Sequence, residues 1–258
     1  MSKEEQTEFW RRVLSGTHPL LRANRGMNKL LPSDPRCKLC SAPFKGVGGF
    51  VMRRVGKSPW EKNPTICNGC FRPLDRHPGG AEVEVMLLFA DVRGSTPLAT
   101  SLGASRFSEL MNRFFGAASK AITESGGFVE KFVGDEVAGV YLPGWIGPDH
   151  GARAFAAALR VLRETGNVTG LQSWVPVGIG MHFGVAYVGS IGTHEVPDFG
   201  VLGDTPSVAA RLAALAGPGE ILVSHDAEHI IGPLDGELRT LELKGIARPL
   251  RVRAVRAS

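Results

Sequence analysis

Six side chains concentrate the chemistry available to this sequence. Cys37 and Cys40 form one CxxC pair and Cys67 and Cys70 form another, with 26 residues between the pairs (Ser41 to Ile66). Four thiolates at this spacing in a Gly/Pro-rich stretch suit a tetrahedral Zn²⁺ ion. A thiol/disulfide redox pair or an iron–sulfur site uses the same residue type, but no βαβ pattern surrounds either CxxC, so zinc is the expected partner. The segment from Arg36 to Leu74 is too short to bury much core, and the metal would then supply folding energy. The remaining two side chains are Asp91, at the end of an apolar run, and Asp135, beside Gly134 between two short apolar runs. Carboxylates at neighbouring strand ends can share hard divalent cations, Mg²⁺ or Mn²⁺, completed by phosphate oxygens and water. Either aspartate alone also suits a helix cap or a hairpin turn.

The residues after Asp91 sharpen the metal reading. Arg93-Gly94-Ser95-Thr96-Pro97 is a short loop opening into a helix, with a glycine that permits close approach and proline where a first turn tolerates it. Amide donors at such a start point toward an anion, so a triphosphate fits between the cations and the helix.

These groups need elements to hold them. Val83 to Val92 (VEVMLLFADV) is a nearly continuous apolar run of strand length, as expected for a strand buried on both faces. Ser105 to Ser125 carries Phe107, Leu110, Met111, Phe114, Phe115, Ala118 and Ile122 at helical spacing and stops at Gly126-Gly127. Phe128 to Val133 and Val137 to Leu142 form a hairpin with Asp135 at its tip. Asp149 to Thr165 is an Ala/Leu-rich helix, and Val175 to His182 with Val185 to Ile191 is read as a second strand pair. Pro206 to Ala216 is a short helix, Glu220 to Ser224 a strand, and Leu238 to Val255 two closing strands around Gly245. The order β-α-β-β-α-β is that of a ferredoxin-like α+β fold. Glu136, beside Asp135, is a candidate to tune the metals, although it is expected to alternate to the opposite strand face.

A chain of 258 residues allows a main domain with a smaller companion. Residues 1–80 hold 15 Lys+Arg against 6 Asp+Glu, or +9, whereas residues 81–258 hold 15 against 19, or −4, so the overall +5 belongs to the N-terminal third. Asp75 to Gly80 (DRHPGG) reads as a linker, which divides the chain into a cysteine module with an N-terminal helix at 1–80, Glu5 to Leu14, and a larger domain at 81–258. No apolar stretch reaches the ~18 residues of a spanning helix. The polar, acidic start lacks the pattern of a secretory signal. A soluble, cytoplasmic protein is expected.

At this point the sequence resembles the class III nucleotidyl cyclases, which convert a nucleoside triphosphate to its 3′,5′-cyclic monophosphate and pyrophosphate. The likeness runs from about Glu82 to Val255. It rests on Phe89 to Thr96 (FADVRGST), Lys131 to Asp135 (KFVGD), Leu202 to Arg211 (LGDTPSVAAR) and Leu243 to Gly245 (LKG). The resemblance implies that Asp91 and Asp135, with the backbone carbonyl of Val92, bind two Mg²⁺ or Mn²⁺ ions. It implies that Lys131 reads adenine by donating to N1, where guanine presents a donor instead, so that ATP is the substrate. Arg211 matches the transition-state arginine, Lys244 the lysine on the terminal phosphates, and Gly94, Ser95 and Thr96 the phosphate-facing loop. It further implies a homodimer whose active sites combine the metal aspartates of one subunit with the residues matched by Arg211 and Lys131 of the other.

Two positions depart from that family. Gly200 stands where an adenine-amino acceptor is usual, and Ser207, four residues before Arg211, stands where Asn is usual. Serine offers a shorter arm than the donor and acceptor of an amide. Asp198, two residues before Gly200 and so on the same side of a strand, or a water above Gly200, is the candidate replacement acceptor. These departures open a second reading, a catalytically weakened cyclase-like domain that senses nucleotide or dimerises. A third makes the basic cysteine module a nucleic-acid binder. Phe44, Phe50, Trp60 and Phe71 are spread too thinly among its basic residues to favour that. His182, His225 and His229 lack a third ligand at metal spacing, and Trp60 and Trp174 are expected to be packing anchors.

Overall fold

The apolar run that ends at Asp91 lies inside a mixed sheet. A computed structural model describes residues 2–33, 35–61, 64–76, 78–192, 197–246 and 248–257 of the protein. The N-terminal part is helical: α1 (Lys3–Leu14), α2 (Pro19–Lys29), α3 (Gly46–Arg54) and α4 (Asn68–Arg76). There follow β1 (Gly80–Val92), α5 (Ser95–Leu102), α6 (Ala104–Ser125), β2 (Phe128–Val133), β3 (Glu136–Tyr141), α7 (Pro143–Ile146) and α8 (His150–Glu164). The chain continues through β4 (Val177–Gly192), β5 (Pro197–Leu202), α9 (Asp204–Leu215), β6 (Glu220–Ser224), α10 (His225–Ile231), β7 (Glu237–Leu241) and β8 (Leu250–Arg256).

The strands form one sheet in the order β2-β3-β1-β4-β6-β8-β7, with β5 paired to β4. The leading part, β2-β3-β1-β4 with α6 and α8 in the connections, is the ferredoxin-like arrangement. Val85 to Ala90 are buried without interruption, which is why this strand shows no apolar–polar alternation. On α6 the buried stripe is Met111, Phe114, Ala118, Ala121 and Ile122, and Gly126 ends the helix in the left-handed region at φ 109°.

Two readings are corrected. The expected turn at Phe183-Gly184 is absent, and Val177 to Gly192 is one sixteen-residue strand. Gly184 answers to packing instead, since a Cβ there would lie 2.9 Å from the Thr205 hydroxyl. The expected linker is also shorter, because α4 continues to Arg76.

The described residues form two compact units. One comprises Met1–Val83 with Leu142–Gly147 and Tyr187–Val201; the other comprises Glu84–Tyr141, Pro148–Ala186 and Leu202–Ser258. In the first unit the fully buried Trp10 stacks on Phe199 at 6.1 Å, and Trp145 of α7 stacks on the same ring at 6.4 Å. The Trp145 indole nitrogen donates to the Val13 carbonyl at 3.2 Å. Among the described residues, no helix is long and apolar enough to cross a membrane.

Candidate active site and cysteine centre

Asp91 closes β1, and its partner across the ladder is Glu136, the first residue of β3. Cross-strand partners share a face, so these two carboxyl groups lie on the same side of the sheet. Asp135 precedes Glu136 in a tight turn that Gly134 permits with φ 62°. The Asp135 carbonyl accepts from the Val92 amide at 3.3 Å, which ties the turn to the end of β1.

Two of these acids are displaced from their ordinary range. Burial pushes Asp91 above the usual carboxylate range, with the Asp135 charge adding to the rise and the Arg93 guanidinium opposing it. Glu136 is pushed up to about 7, first by burial and then by the charges of Asp91 and Asp135. Arg93 pairs with Asp91, and also binds the Ala214 carbonyl through its guanidinium and the Pro176 carbonyl through its amide. A half-buried acidic cluster with this little cationic cover is the environment that a divalent cation relieves. Asp91 and Asp135 therefore fit Mg²⁺ or Mn²⁺ by their chemistry. Immediately beyond, Gly94 is left-handed at φ 67° and ψ 34° and starts α5. The first amides of that helix, including Ser95 and Thr96, have no intrahelical acceptor by the geometry of a helix end.

Arg211 lies on α9, one turn beyond Ser207. Leu243 is buried in a cluster with Val208 and Leu212, and that anchors the Lys244-Gly245 turn against the helix. A Cβ on Gly245 would lie 3.4 Å from a guanidinium nitrogen of Arg211. The fold thus brings Arg211 to the LKG turn, where Lys244 is exposed. Lys131 is exposed on β2 and its ammonium lies 3.3 Å from the Glu130 carboxylate, at the bulge between Val129 and Lys131.

The model of the adenylate and guanylate cyclase catalytic domain matches residues 80–245. The chain belongs to that family. An uncharacterized protein of Mycobacterium tuberculosis is 32% identical over 186 residues, covering 67% of this chain and 31% of its own length. An adenylate cyclase of Anabaena cylindrica is 31% identical over 136 residues, covering 50% of this chain and 26% of its own. The chain thus spans about a third or less of the length of these curated relatives. Among solved structures, the adenylyl cyclase CyaB from P. aeruginosa matches with a TM-score of 0.60 at 26% identity, covering 69% of this chain and 97% of that one. The guanylyl cyclase Cya2 matches at 0.59 and 26%, covering 68% and 93%.

The cyclase motifs differ in how their side chains are engaged. The exposed Ser207 hydroxyl donates back to the Gly203 carbonyl at 3.2 Å. Asp198 is exposed and accepts from the Phe199 amide at 2.9 Å, whereas Gly200 is buried. Both lie in the first unit, while Asp91, Asp135, Lys131, Arg211 and Lys244 lie in the second. The expected opposite face of Glu136 is corrected. Asp135 sits in the turn and not in the strand, so alternation starts at Glu136 and the ladder sets it opposite Asp91.

Other candidates have structural roles. His182 is buried with Nδ1 2.8 Å from the Ser224 hydroxyl, and burial lowers its pKa. His225 and His229 are exposed on α10. Trp60 stacks on Phe71 at 3.7 Å, and Trp174 lies under the Arg113 guanidinium.

In the first unit the four cysteines converge, with sulfurs that all lie within 4.8 Å of one another. Cys37, Cys40 and Cys67 are buried. Each knuckle is closed by one antiparallel bridge, Arg36 to Pro43 and Pro59 to Cys67, with α3 in the stretch between. Hydrogen bonds from Cys37, Cys67 and Cys70 push Cys40 far toward the thiolate, and those to Cys37, Cys40 and Cys67 hold Cys70 protonated. A cluster that stores negative charge on shared protons fits a tetrahedral metal such as zinc, which replaces those protons. Arg25 donates to the Lys38 carbonyl of the first knuckle at 2.7 Å and to the Gly144 and Trp145 carbonyls of α7 at 3.2 and 3.0 Å.

Proposed function

We propose that the protein is an adenylate cyclase, converting ATP to 3′,5′-cyclic AMP and pyrophosphate as a homodimer. Residues 81–258 would carry the catalytic machinery and residues 1–80 a zinc-stabilised module. The observation that carries this reading is the crowding of Asp91, Asp135 and Glu136 at one strand end beside the start of α5. Asp91 and Asp135, with the Val92 carbonyl, would hold two Mg²⁺ or Mn²⁺ ions. When bound, these ions would ease ionisation of the ribose 3′-hydroxyl and neutralise the leaving pyrophosphate.

The reaction is in-line: the 3′-oxygen bonds to the α-phosphorus, the bond to the β-phosphate bridge breaks, and no side-chain nucleophile is needed. Arg211 would stabilise the charge that gathers on the α-phosphate. Lys244 would hold the terminal phosphates, and the amides at Gly94, Ser95 and Thr96 would face the triphosphate. Lys131 would donate to adenine N1 and disfavour guanine, whose N1 carries a proton. Asp198 is the proposed acceptor for the adenine amino group beside the side-chain-free Gly200. An unchanged ATP-to-GTP ratio in Asp198→Ala would remove it from the base pocket.

One observation favours a second reading. Ser207 spends its hydroxyl on the Gly203 carbonyl, so the position that usually carries Asn offers less to a substrate, and a misplaced group can cost ~10²-fold in rate. That suits a weakened cyclase acting as a nucleotide sensor. Mass-spectrometric product identification with ATP or GTP and Mg²⁺ or Mn²⁺ separates the two. Cyclic AMP that disappears in Asp91→Ala supports the enzyme. ATP binding without turnover supports the sensor.

A further inference from the structure

The nine residues of α3 turn their smallest side chains inward and their apolar ones outward. Gly48 and Gly49 are buried, and a Cβ on them would meet the Pro32 carbonyl oxygen at 2.5 Å and the Phe44 carbonyl carbon at 2.4 Å, respectively. Val47, Phe50 and Val51, with Val55 just past the last turn, recur at the i, i+3, i+4 and i+8 spacing of one helix face. That face is open to solvent: Val47 is 75% exposed, Phe50 52%, Val51 43% and Val55 62%. An apolar stripe normally packs a surface helix onto its core. Here the glycines do the packing, and the stripe is left over. The segment that leaves α2 and meets Gly48 through Pro32 adds two more exposed apolar side chains, Met27 and Leu30.

The charge around this face has one sign. Residues 9–60 carry eleven Lys and Arg and a single acid, Asp34. Lys29 of α2, Lys45 at the start of α3 and Arg54 at its end are exposed, and the Arg54 guanidinium lies over the Phe50 ring at 4.7 Å. A second copy docking its own stripe here would bring two such cationic rims together, which opposes self-pairing. None of the six apolar side chains offers a hydrogen bond that would single out one protein surface. A bilayer with acidic headgroups asks only for shallow apolar side chains and cations above them, and this face supplies both.

We propose that α3 docks on an anionic lipid surface, with Val47, Phe50, Val51 and Val55 in the boundary between headgroups and acyl chains and with Lys29, Lys45 and Arg54 at the lipid phosphates. The attachment is peripheral and reversible. It goes beyond the cyclase reading and does not rest on it, because its readout is vesicle binding.

The test sediments the full chain, loaded with Zn²⁺, with vesicles of phosphatidylcholine alone or of phosphatidylcholine and phosphatidylglycerol in equal parts. Binding is expected on the mixed vesicles and should be about tenfold weaker or less on the neutral ones. At ~1 M salt, where screening acts beyond ~3 Å, it should fall to the neutral level. Phe50→Ser withdraws a large apolar side chain from the boundary and should weaken binding by about tenfold or more. Lys45→Gln removes one charge near the surface and should weaken it about fivefold. Lys120→Gln, exposed on α6 in the other unit, should leave it unchanged. Far-ultraviolet circular dichroism reports whether each variant is folded, and Lys45→Gln decides the matter if Phe50→Ser is not. Equal binding to neutral vesicles, undiminished binding in Phe50→Ser and Lys45→Gln, or an equal loss in Lys120→Gln would overturn the proposal. So would a lipid-free dimer, seen by sedimentation velocity, that Phe50→Ser dissolves, since the stripe would then belong to a second copy.

Discussion

The acidic cluster makes a quantitative prediction about Glu136→Gln in protein prepared without Mg²⁺ or Mn²⁺. Glu136 rises from an ordinary 4.5 to about 7 in the folded protein. At ~1.4 kcal/mol per tenfold change in proton affinity, this rise corresponds to about 3 kcal/mol. Solvent screening of the outer part of the carboxylate trims it to about 2 kcal/mol. The sign follows from proton counting. Between pH 4.5 and 7 the folded chain holds a proton that the unfolded chain has lost, so stability falls as pH rises through this window and the full penalty applies above it. Glutamine keeps the shape without the charge. Urea unfolding should therefore show wild type and Glu136→Gln nearly equal at pH 4.5, with the variant more stable by about 2 kcal/mol at pH 8. Millimolar Mg²⁺ at pH 8 should stabilise wild type more than the variant. A stability gap that is the same at both pH values would refute the reading that burial and the neighbouring acids raise Glu136.

Three further outcomes are expected. Asp91→Ala and Arg211→Ala should each be nearly inactive alone, while mixing the two should restore about a quarter of wild-type cyclase rate, because half the dimers then carry one intact site; no recovery would count against active sites shared between subunits. Cys70→Ser should bind less zinc than wild type, measured as metal per chain after loading, and make the stretch around the cysteine knuckles more open to proteolysis, since a metal there would supply part of its folding energy. Trp10→Ala removes a fully buried indole stacked on Phe199 and should cost about 3 to 5 kcal/mol in unfolding experiments.

The strands buried on both faces were legible because continuous apolar runs such as VEVMLLFADV have few other uses. The long β4 was misread because Gly184 has two meanings in sequence, a turn or a close approach, and only the position of Thr205 decides between them. β5 was legible only in part: Asp198 and Gly200 were read as sharing one side of a strand, but Pro197, Asp198 and Gly200 argue against a strand by propensity, and pairing to β4 overrides them. α3 is the converse case. GVGGFVMRR is a poor helix by propensity, yet Gly48 and Gly49 let it settle against Pro43 and Phe44, where a Cβ would come within 2.8 and 2.4 Å of those residues. At the candidate site the charged residues were readable as motif members. Glu136 was not, because its face depends on where the turn ends and the ladder begins.

The cysteine centre is also less separable from the cyclase sequence than its N-terminal position suggests. Two segments inside the family match, Leu142–Gly147 and Tyr187–Val201, fold with it in one unit. Phe199, the neighbour of Gly200, is held between Trp10 and Trp145, and a Cβ on Gly144 would lie 2.1 Å from the Ser15 carbonyl carbon. Arg25 joins the first knuckle to the same α7 through three carbonyls. A thiolate centre that loses its metal therefore has a short bonded route, within that unit, to α7 and to Phe199 of β5. Removing residues 1–80 would not release an intact catalytic domain; it would unstack Phe199 next to a position proposed to face the base. For this architecture, metal occupancy at the cysteines and the proposed turnover at Asp91 and Asp135 are best measured on the same chain.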